Sequence, residues 1–387
     1  MTTMQTSRPT KPATTAGGRA FNFGAGPSVL PEEVIKQIQQ DIWNYAGAGM
    51  GILELSHRGK HYDQIVADVD CDLREIGSIP ANYKILFMTG GATGQNWLVP
   101  ANLLPIGGTG DYIVTGYWAE GSVKDAQQYC QGANPTASIH VAANSADQKH
   151  SYIPSDEQTK YSAKPAYVHM TSSNTIYGTQ WRGRLPNAPA GAPLICDASS
   201  DIFSEPIDIT KFGVLYGGAQ KNLGTTGATF VIIRDDLIEM GHKHIPRMTQ
   251  YRTYAKDESR PNTPPHFAIY TVGLMAKWIK KQGGLAKLGQ INRDKAGVIY
   301  KALDDNQGFW LSHARQADRS LMNITFRAKG GDALDEKFMT EAKAASCDGL
   351  KGHRATGGMR ASLYNAFPAE GADVLADLIR DFAQKNG

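Results

Sequence analysis

Cysteine is scarce in this sequence of 387 residues, and its cysteines are widely separated. The four are Cys71, Cys130, Cys196 and Cys347, and no two of them form a CxxC pair. This spacing argues against a disulfide framework, which is typical of small secreted domains, and against a thiolate metal cluster. We therefore expect no metal site and a reducing compartment, the cytoplasm.

Long hydrophobic runs and an excess of one charge are also missing. No apolar run approaches the ~18 residues that cross a bilayer, so we expect no membrane partner. The 40 Lys and Arg residues against 37 Asp and Glu give a net charge of +3, too small for an extended nucleic-acid surface. With 41% hydrophobic residues, the chain is typical of a globular protein of two or three domains.

The first twenty residues lack acids and large apolar clusters. They are rich in Thr, Pro, Gly and Ala and contain Arg8, Lys11 and Arg19. Because the segment has no amphipathic apolar face, residues 1–20 are predicted to be a flexible tail. An organellar transit peptide, which is likewise basic and poor in acids, is the alternative.

Short apolar runs alternate with helix-length segments through the middle of the chain. The runs occupy 83–88, 111–116, 166–170, 193–197, 214–220 and 228–234. Because they are apolar on both faces, they indicate an α/β domain with a mostly parallel sheet covered on both sides. After residue 284 the pattern is typical of a smaller α+β domain. We predict a large domain over 36–284 and a small domain formed by 21–35 and 285–387.

A glycine-rich turn, TGGATGQNW at 89–97, follows the first of these runs and precedes a helical stretch. Such a turn points backbone N–H groups at a phosphate. The turn also resembles the TGxxxGxG motif of short-chain dehydrogenases, but Asn96 replaces the last glycine. No tyrosine has a lysine four residues later, so the catalytic pair of those enzymes is missing. A nicotinamide enzyme is therefore disfavoured.

An acid and a lysine follow two of the predicted strands. Asp197 ends the run 193–197, and Lys221 comes directly after the run 214–220. Ligands of open α/β sheets collect at the carboxyl ends of strands, so both side chains should face one crevice. A lysine there can form a Schiff base with an aldehyde cofactor, and an aspartate can keep a pyridine nitrogen protonated. A solvated lysine and a turn-capping aspartate are the alternative, which the nearby phosphate turn disfavours.

Taken together, these residues resemble the phosphoserine aminotransferase family, pyridoxal-phosphate enzymes of the aspartate aminotransferase fold. The resemblance extends from FNFGAGPSVLP at 21–31 to the C-terminal helix. It is carried by ELSHRGK (54–60), TGYWAE (115–120), YGGAQKNLG (216–224), RPNTPP (260–265) and KGHRATGGMRASLYNA (351–366). The resemblance implies fold type I of the pyridoxal-phosphate transferases, a mostly parallel seven-stranded sheet in the large domain, and a homodimer.

The resemblance also implies which residues bind the cofactor. Lys221 resembles the Schiff-base lysine, Asp197 the partner of the pyridine nitrogen, and Trp118 the ring that stacks on the cofactor. Further implied contacts are Thr175, Gln220, the backbone N–H groups of Ala92 and Thr93 at the phosphate, and Asn262 and Thr263 from the other subunit. Many members carry GGGRGQ or GGGCGQ where this chain has GGATGQ, so Thr93 replaces the arginine of the family.

Five basic residues resemble the substrate contacts of the family. Arg360 resembles the arginine that binds the α-carboxylate, and the residues for the distal phosphate or carboxylate are His57, Arg58, His353 and Arg354. The implied reaction is reversible transfer of an amino group from L-glutamate to 3-phosphohydroxypyruvate, giving O-phospho-L-serine and 2-oxoglutarate. Some members also form 4-phosphohydroxy-L-threonine in vitamin B6 synthesis.

Two alternative functions remain for the same fold. A cysteine desulfurase would need a nucleophilic cysteine on a loop, and Cys347 follows Lys221 at a suitable distance along the chain. However, AKAASCDGL is typical of a helix end, and Gln220 precedes the lysine where desulfurases typically have histidine. A non-catalytic protein that binds a phosphate ligand is the other alternative.

Overall fold

The computed structural model of the chain describes residues 14–240, 242 and 244–387. The α-helices of this part are α1 (Glu32–Trp43), α2 (Lys60–Gly77), α3 (Gly91–Leu103), α4 (Tyr117–Ala133), α5 (Asp235–Ile238), α6 (Tyr251–Lys256), α7 (His266–Lys281), α8 (Gly284–Asp305), α9 (Asp332–Ala344) and α10 (Ala369–Asn386). The strands are β1 (Phe21–Asn22), β2 (Tyr83–Met88), β3 (Thr109–Val114), β4 (Ser138–Asn144), β5 (Pro165–Thr171), β6 (Leu194–Asp197), β7 (Val214–Gly218), β8 (Thr229–Arg234), β9 (Trp310–Ser312), β10 (Asn323–Ala328), β11 (Cys347–Asp348) and β12 (Met359–Ser362).

The central sheet has seven strands in the order β2-β8-β7-β6-β5-β3-β4. Strand β8 runs antiparallel to both of its neighbours, β2 and β7, and the remaining pairs are parallel. The carboxyl ends of the other six strands therefore lie at one edge of the sheet. The predicted α/β fold with a mostly parallel, seven-stranded sheet is confirmed.

Helices cover both faces of this sheet. Ile113 and Leu215 point into a core shared with α2 and α7, whereas the adjacent Tyr112 and Tyr216 point into a core shared with α3 and α4. Successive strand residues thus enter opposite cores, as the alternation of side chains along a strand requires. This double burial explains the continuous apolar runs in the sequence.

A third core lies around a three-stranded antiparallel sheet of order β12-β10-β9. Helices α8, α9 and α10 contribute to it, together with Phe21 and Phe23 from the N-terminal segment. The short parallel pair of β1 with β11 places Phe21 beside Cys347. The domain boundaries assigned from the sequence stay a prediction.

The N-terminal segment begins, in the described part, with a turn against α1. Backbone hydrogen bonds join Thr15 to Arg19 and Gly18, and Thr15 Oγ1 donates to Glu32 Oε1 at 2.6 Å. Residues 1–13 of the predicted tail lie outside the described residues. Within the described ranges, no helix has both the length and the apolar character to cross a bilayer.

Candidate active site

Lys221 lies at the carboxyl edge of the central sheet, just after β7. Its Nζ donates hydrogen bonds to Thr175 Oγ1 at 2.8 Å and to Ser200 Oγ at 2.9 Å. The two hydroxyl oxygens are 2.6 Å apart. Thr175 and Ser200 follow β5 and β6, so the amine joins segments that extend from three neighbouring strands.

Burial controls the protonation of this amine. Desolvation lowers the pKa of Lys221 from 10.5 to about 8, although the negative charge of Asp197 opposes the shift. The positive charge of Arg360 lowers this pKa further, and Asp201 raises it. A neutral amine is a nucleophile and a base, so a fraction of Lys221 is reactive near neutral pH.

Asp197 is the last residue of β6 and is only 7% exposed. Its Oδ1 accepts hydrogen bonds from the backbone N–H of Ser199 at 3.0 Å and from the Ser199 hydroxyl at 2.6 Å. Its Oδ2 accepts no hydrogen bond from the described residues and is not sealed from solvent. The protein therefore fixes one carboxylate oxygen and leaves the other able to accept a hydrogen bond from a ligand.

The glycine-rich turn forms the start of α3. Gly90 has a left-handed φ of 95°, which lets the chain turn from β2 directly into the helix. No side chain caps α3, and the N–H groups of Ala92 and Thr93 lie in its first turn, where no intrahelical acceptor exists. These N–H groups and the helix dipole can bind a phosphate.

Trp118 lies near the lysine in space, and Gln220 precedes it in the chain. Trp118 is in the first turn of α4 and is 38% exposed, and Lys221 Nζ lies 6.0 Å from the centroid of its ring. This open aromatic face can stack on a planar ligand. The Gln220 side chain packs over Gly218, where an added Cβ would lie 2.4 Å from Gln220 Oε1.

Arg360, on β12, carries a guanidinium group that donates no hydrogen bond within the described part of the chain, and its buried Nε has no acceptor. Burial lowers the pKa of Arg360. Burial, and then the charges of Arg360 and Arg354, lower the pKa of His353. The ring of His353 lies 5.4 Å from that of Tyr117, at the start of α4. Arg354 and Arg360 are thus two guanidinium groups near His353 that have no carboxylate partner among the described residues, which favours an anionic ligand.

Two pairs of predicted site residues lie in segments for which the described part of the structure shows no contact with Lys221 or its hydrogen-bond partners. His57 and Arg58 precede α2, and Arg58 Nε contacts His57 Nε2 at 3.3 Å. Asn262 and Thr263 are exposed in the segment before α7, and the Asn262 amide donates to the carbonyl oxygen of Thr263 at 3.0 Å. The roles of these four residues, like those of the other predicted site residues, stay predictions.

Three serines of the site were not predicted from the sequence. Ser199 holds Asp197, Ser200 accepts from Lys221, and the Ser28 hydroxyl donates to the carbonyl oxygen of Lys221. Ser199 and Ser200 belong to DASSD at 197–201, and this small polar run after a buried strand could have identified them. Ser28 comes from a distant part of the chain and has no comparable signal.

Cys347 is poorly suited to be a nucleophile. It is buried in β11 rather than on a loop beside Lys221, and burial raises its pKa to about 12. A thiol with such a pKa is protonated at neutral pH, whereas the thiolate is the reactive form. The structure therefore disfavours the desulfurase alternative.

Comparisons with known proteins agree with this geometry. The family model of class-V aminotransferases matches residues 20–375. A phosphoserine aminotransferase of Lysinibacillus sphaericus is 45% identical over 368 residues, covering 95% of this chain and 99% of that protein. The solved structure of phosphoserine aminotransferase from Bacillus circulans subsp. alkalophilus has a TM-score of 0.90 at 41% identity, covering 95% of this chain and 99% of the other. A PLP-bound phosphoserine aminotransferase from Trichomonas vaginalis has a TM-score of 0.89 at 34% identity, covering 94% and 100%.

The low pKa of Lys221 predicts how the cofactor-free protein reacts with pyridoxal phosphate. Attack on the aldehyde needs the neutral amine, so the rate of uptake should rise with pH and level off above a midpoint near 8. Stopped-flow absorbance in the visible range measures this rate. The control Lys221→Arg should show no such uptake, and a midpoint close to 10.5 in the unmodified protein would contradict burial of the amine.

Proposed function

The chain belongs to the phosphoserine aminotransferases of the class-V aminotransferase family, and we propose that it transfers an amino group reversibly from L-glutamate to 3-phosphohydroxypyruvate. The products are O-phospho-L-serine and 2-oxoglutarate, and the cofactor is pyridoxal phosphate. One observation carries this proposal. The buried amine of Lys221 feels the charges of both Asp197, a carboxylate with one free oxygen, and Arg360, whose guanidinium has no acceptor among the described residues.

The residues present fit pyridoxal phosphate. When bound, this cofactor supplies an aldehyde that condenses with amines and a cationic ring that withdraws electrons from the adjacent carbon. Lys221 would hold the aldehyde, Asp197 Oδ2 the ring nitrogen, and Trp118 one face of the ring. The start of α3, with Ala92 and Thr93, would hold the phosphate, and Thr175 and Gln220 would flank the ring.

Lys221 is the base of the reaction. Its Nζ removes the proton from the α-carbon of the substrate and returns it, and a pKa of about 8 suits a group that both accepts and donates protons near neutral pH. The hydroxyls of Thr175 and Ser200 orient Nζ. Ser199 fixes the carboxylate of Asp197 through two hydrogen bonds to its Oδ1.

The basic residues divide between the two ends of the substrate. Every substrate of this reaction has an α-carboxylate, and a planar guanidinium binds a carboxylate with two parallel hydrogen bonds, so Arg360 takes this end. His353 and Arg354, with His57 and Arg58, take the distal phosphate or carboxylate. The four-carbon keto acid that leads to 4-phosphohydroxy-L-threonine has the same two anionic ends, so the assay should include both keto acids.

We also propose a homodimer, which an exposed apolar loop supports. Ile42, Trp43, Met50 and Leu53 are all exposed, Trp43 by 86%. Backbone hydrogen bonds from Tyr45 to Met50 and from Ile52 to Asp41 fold this loop back on itself. Exposed apolar patches of this kind mark association surfaces. A second copy related by a two-fold axis would cover this patch, and Asn262 and Thr263 would complete the cofactor site of the partner.

The free cysteines support a cytoplasmic location. All four are unpaired in the structure, which agrees with a reducing compartment. Small anionic substrates and a second copy of the chain are the proposed partners.

The function is tested first at the lysine. Lys221→Ala should lose nearly all formation of phosphoserine from glutamate and 3-phosphohydroxypyruvate, because the variant lacks both the cofactor linkage and the base. After borohydride reduction, peptide mass spectrometry should find pyridoxyl label on Lys221 in the wild-type protein and none in the variant. The exposed Lys211→Ala is the matched control and should keep both properties. Label on another lysine, or a wild-type protein without turnover, would refute the proposal.

Variants of Arg360 and Arg354 test how the protein binds the two ends of the substrate. Arg360→Lys should weaken all substrates alike, since each has an α-carboxylate. Arg354→Ala should reduce kcat/KM for phosphoserine more than for glutamate, because a charge-assisted hydrogen bond is worth ~1.5–3 kcal/mol and the phosphate carries more charge. Each half-reaction can be followed by the absorbance of the cofactor. Equal losses for both substrates would show that another group holds the phosphate.

The dimer is tested at Trp43. Trp43→Glu should convert the dimer to a monomer at micromolar concentration, because a charge replaces a large apolar group in the interface. Sedimentation velocity measures this change. Turnover should fall as the dimer is lost, since each site is proposed to need residues from both subunits. Ile106→Glu is the control, since Ile106 is 76% exposed outside this loop. A wild-type monomer that is active and fully loaded with cofactor would rule out the shared site.

A further inference from the structure

Asn222 directly follows Lys221 and is 1% exposed. Its Nδ2 donates to the carbonyl oxygen of Ser200 at 2.9 Å, and its Oδ1 accepts from the backbone N–H of Asn365 at 3.0 Å. Ser200 is also the residue whose hydroxyl accepts from Lys221 Nζ. One amide side chain thus connects the neighbourhood of the reactive amine with a residue more than a hundred positions away.

Asn365 belongs to the segment that carries Arg360. It lies shortly after β12, and its own Nδ2 donates to the carbonyl oxygen of Phe203 at 2.9 Å. Its Oδ1 accepts from Asn292 Nδ2 at 2.9 Å, and the same Nδ2 donates to the carbonyl oxygen of Ser204 at 2.8 Å. Both asparagines are buried. The segment 200–204 is therefore hydrogen-bonded to the strand-end that carries Arg360 and to helix α8.

Lys295 binds the turn around Asn365, after β12, from the same helix as Asn292. This buried lysine of α8 donates from Nζ to the carbonyl oxygens of Leu363, Tyr364, Asn365 and Phe367 at 3.0–3.4 Å. The turn after β12 is thereby fixed at several carbonyl groups as well as at the Asn365 N–H. These bonds attach the turn that directly follows β12, the strand of Arg360, to α8.

We propose that Asn222 is a positioning residue, which with Asn365 forms a clasp that holds the Lys221 amine in register with Arg360. The amine must reach the α-carbon of a substrate whose carboxylate Arg360 holds, so their relative position decides how often the proton can be transferred. At one end, Asn222 binds the carbonyl group of Ser200, whose hydroxyl orients the amine of Lys221. At the other end, Asn222 binds Asn365 in the turn after β12, the strand of Arg360. This inference rests on the proposed function.

The test compares Asn222→Ala with Asn102→Ala. Asn102 is also buried, and its amide donates to the carbonyl oxygens of Leu98 and Thr249 and accepts from the Tyr251 N–H. Both variants therefore lose a similar set of hydrogen bonds. Asn102 lies at the far end of α3 and has no described link to Lys221. The charges around Lys221, namely Asp197, Asp201 and Arg360, are unchanged in both.

Two readouts on the holoenzyme separate a positioning role from a structural one. The first is the pH midpoint of the visible absorbance, which should fall by at least half a pH unit in Asn222→Ala, because a less ordered Ser200 stabilises a protonated nitrogen less well. The second is the half-reaction with glutamate, in which kcat should fall at least tenfold while KM changes less than threefold, since Arg360 is intact. Asn102→Ala should move neither.

The proposal is overturned if Asn222→Ala keeps the wild-type midpoint and kcat, or if Asn102→Ala changes both by as much. Should Asn222→Ala fail to fold, Asn292→Ala is the second variant, since it loosens the same segment from farther away. If the pH midpoint of Asn292→Ala falls, by less than is expected for Asn222→Ala, the result supports the clasp. If Asn292→Ala keeps the midpoint of the wild-type protein, the clasp is overturned. A wild-type protein without a visible band or a half-reaction would instead refute the proposed function.

Discussion

The burial of one lysine amine beside hydroxyl groups is the interaction on which the site depends. An ammonium group that loses water is destabilised unless an acceptor or an opposite charge replaces the lost solvation. Thr175 and Ser200 supply neutral acceptors, and the carboxylate of Asp197 is turned towards Ser199. A direct ion pair would keep the amine charged at neutral pH. The arrangement instead leaves Lys221 buried, oriented and partly neutral.

The parallel sheet explains why this amine has suitable neighbours. Because six strands end at the same edge, the segments after β5, β6 and β7 meet there, and α3 starts from the same edge after β2. The phosphate contact expected at α3 comes from backbone N–H groups, which any residue supplies. The proposed phosphate contact at α3 therefore does not depend on the side chain at position 93, which is Thr in this chain.

Much of this arrangement could be predicted from the sequence, because continuous apolar runs and the residues after them have a direct physical meaning. The run 83–88 is β2, and the placement of Asp197 and Lys221 after strands predicted their common edge. Strand β4 was missed because it is a partly exposed edge strand without an apolar run. The antiparallel direction of β8 and the pairing of β1 with β11 depend on contacts between distant segments, which local patterns do not encode. The same limit applies to Ser28.

The hydrogen bonds around Lys221 are made by neutral side chains, and the effect of nearby charges on the pKa of Lys221 explains why. Elsewhere the chain uses ion pairs to join its elements, as where Lys280 bridges from α7 to Asp72 on α2. Next to the amine, the connections run through Ser199, Ser200 and Asn222. A carboxylate in any of these positions would raise the pKa of Lys221, and a further cation would compete for the anionic substrate. Amides and hydroxyls fix positions without adding net charge, so the field at the amine is left to Asp197, Asp201 and Arg360. Because the connections around the amine are neutral, Arg360 has no carboxylate partner among the described residues, and its guanidinium is left able to bind an anion.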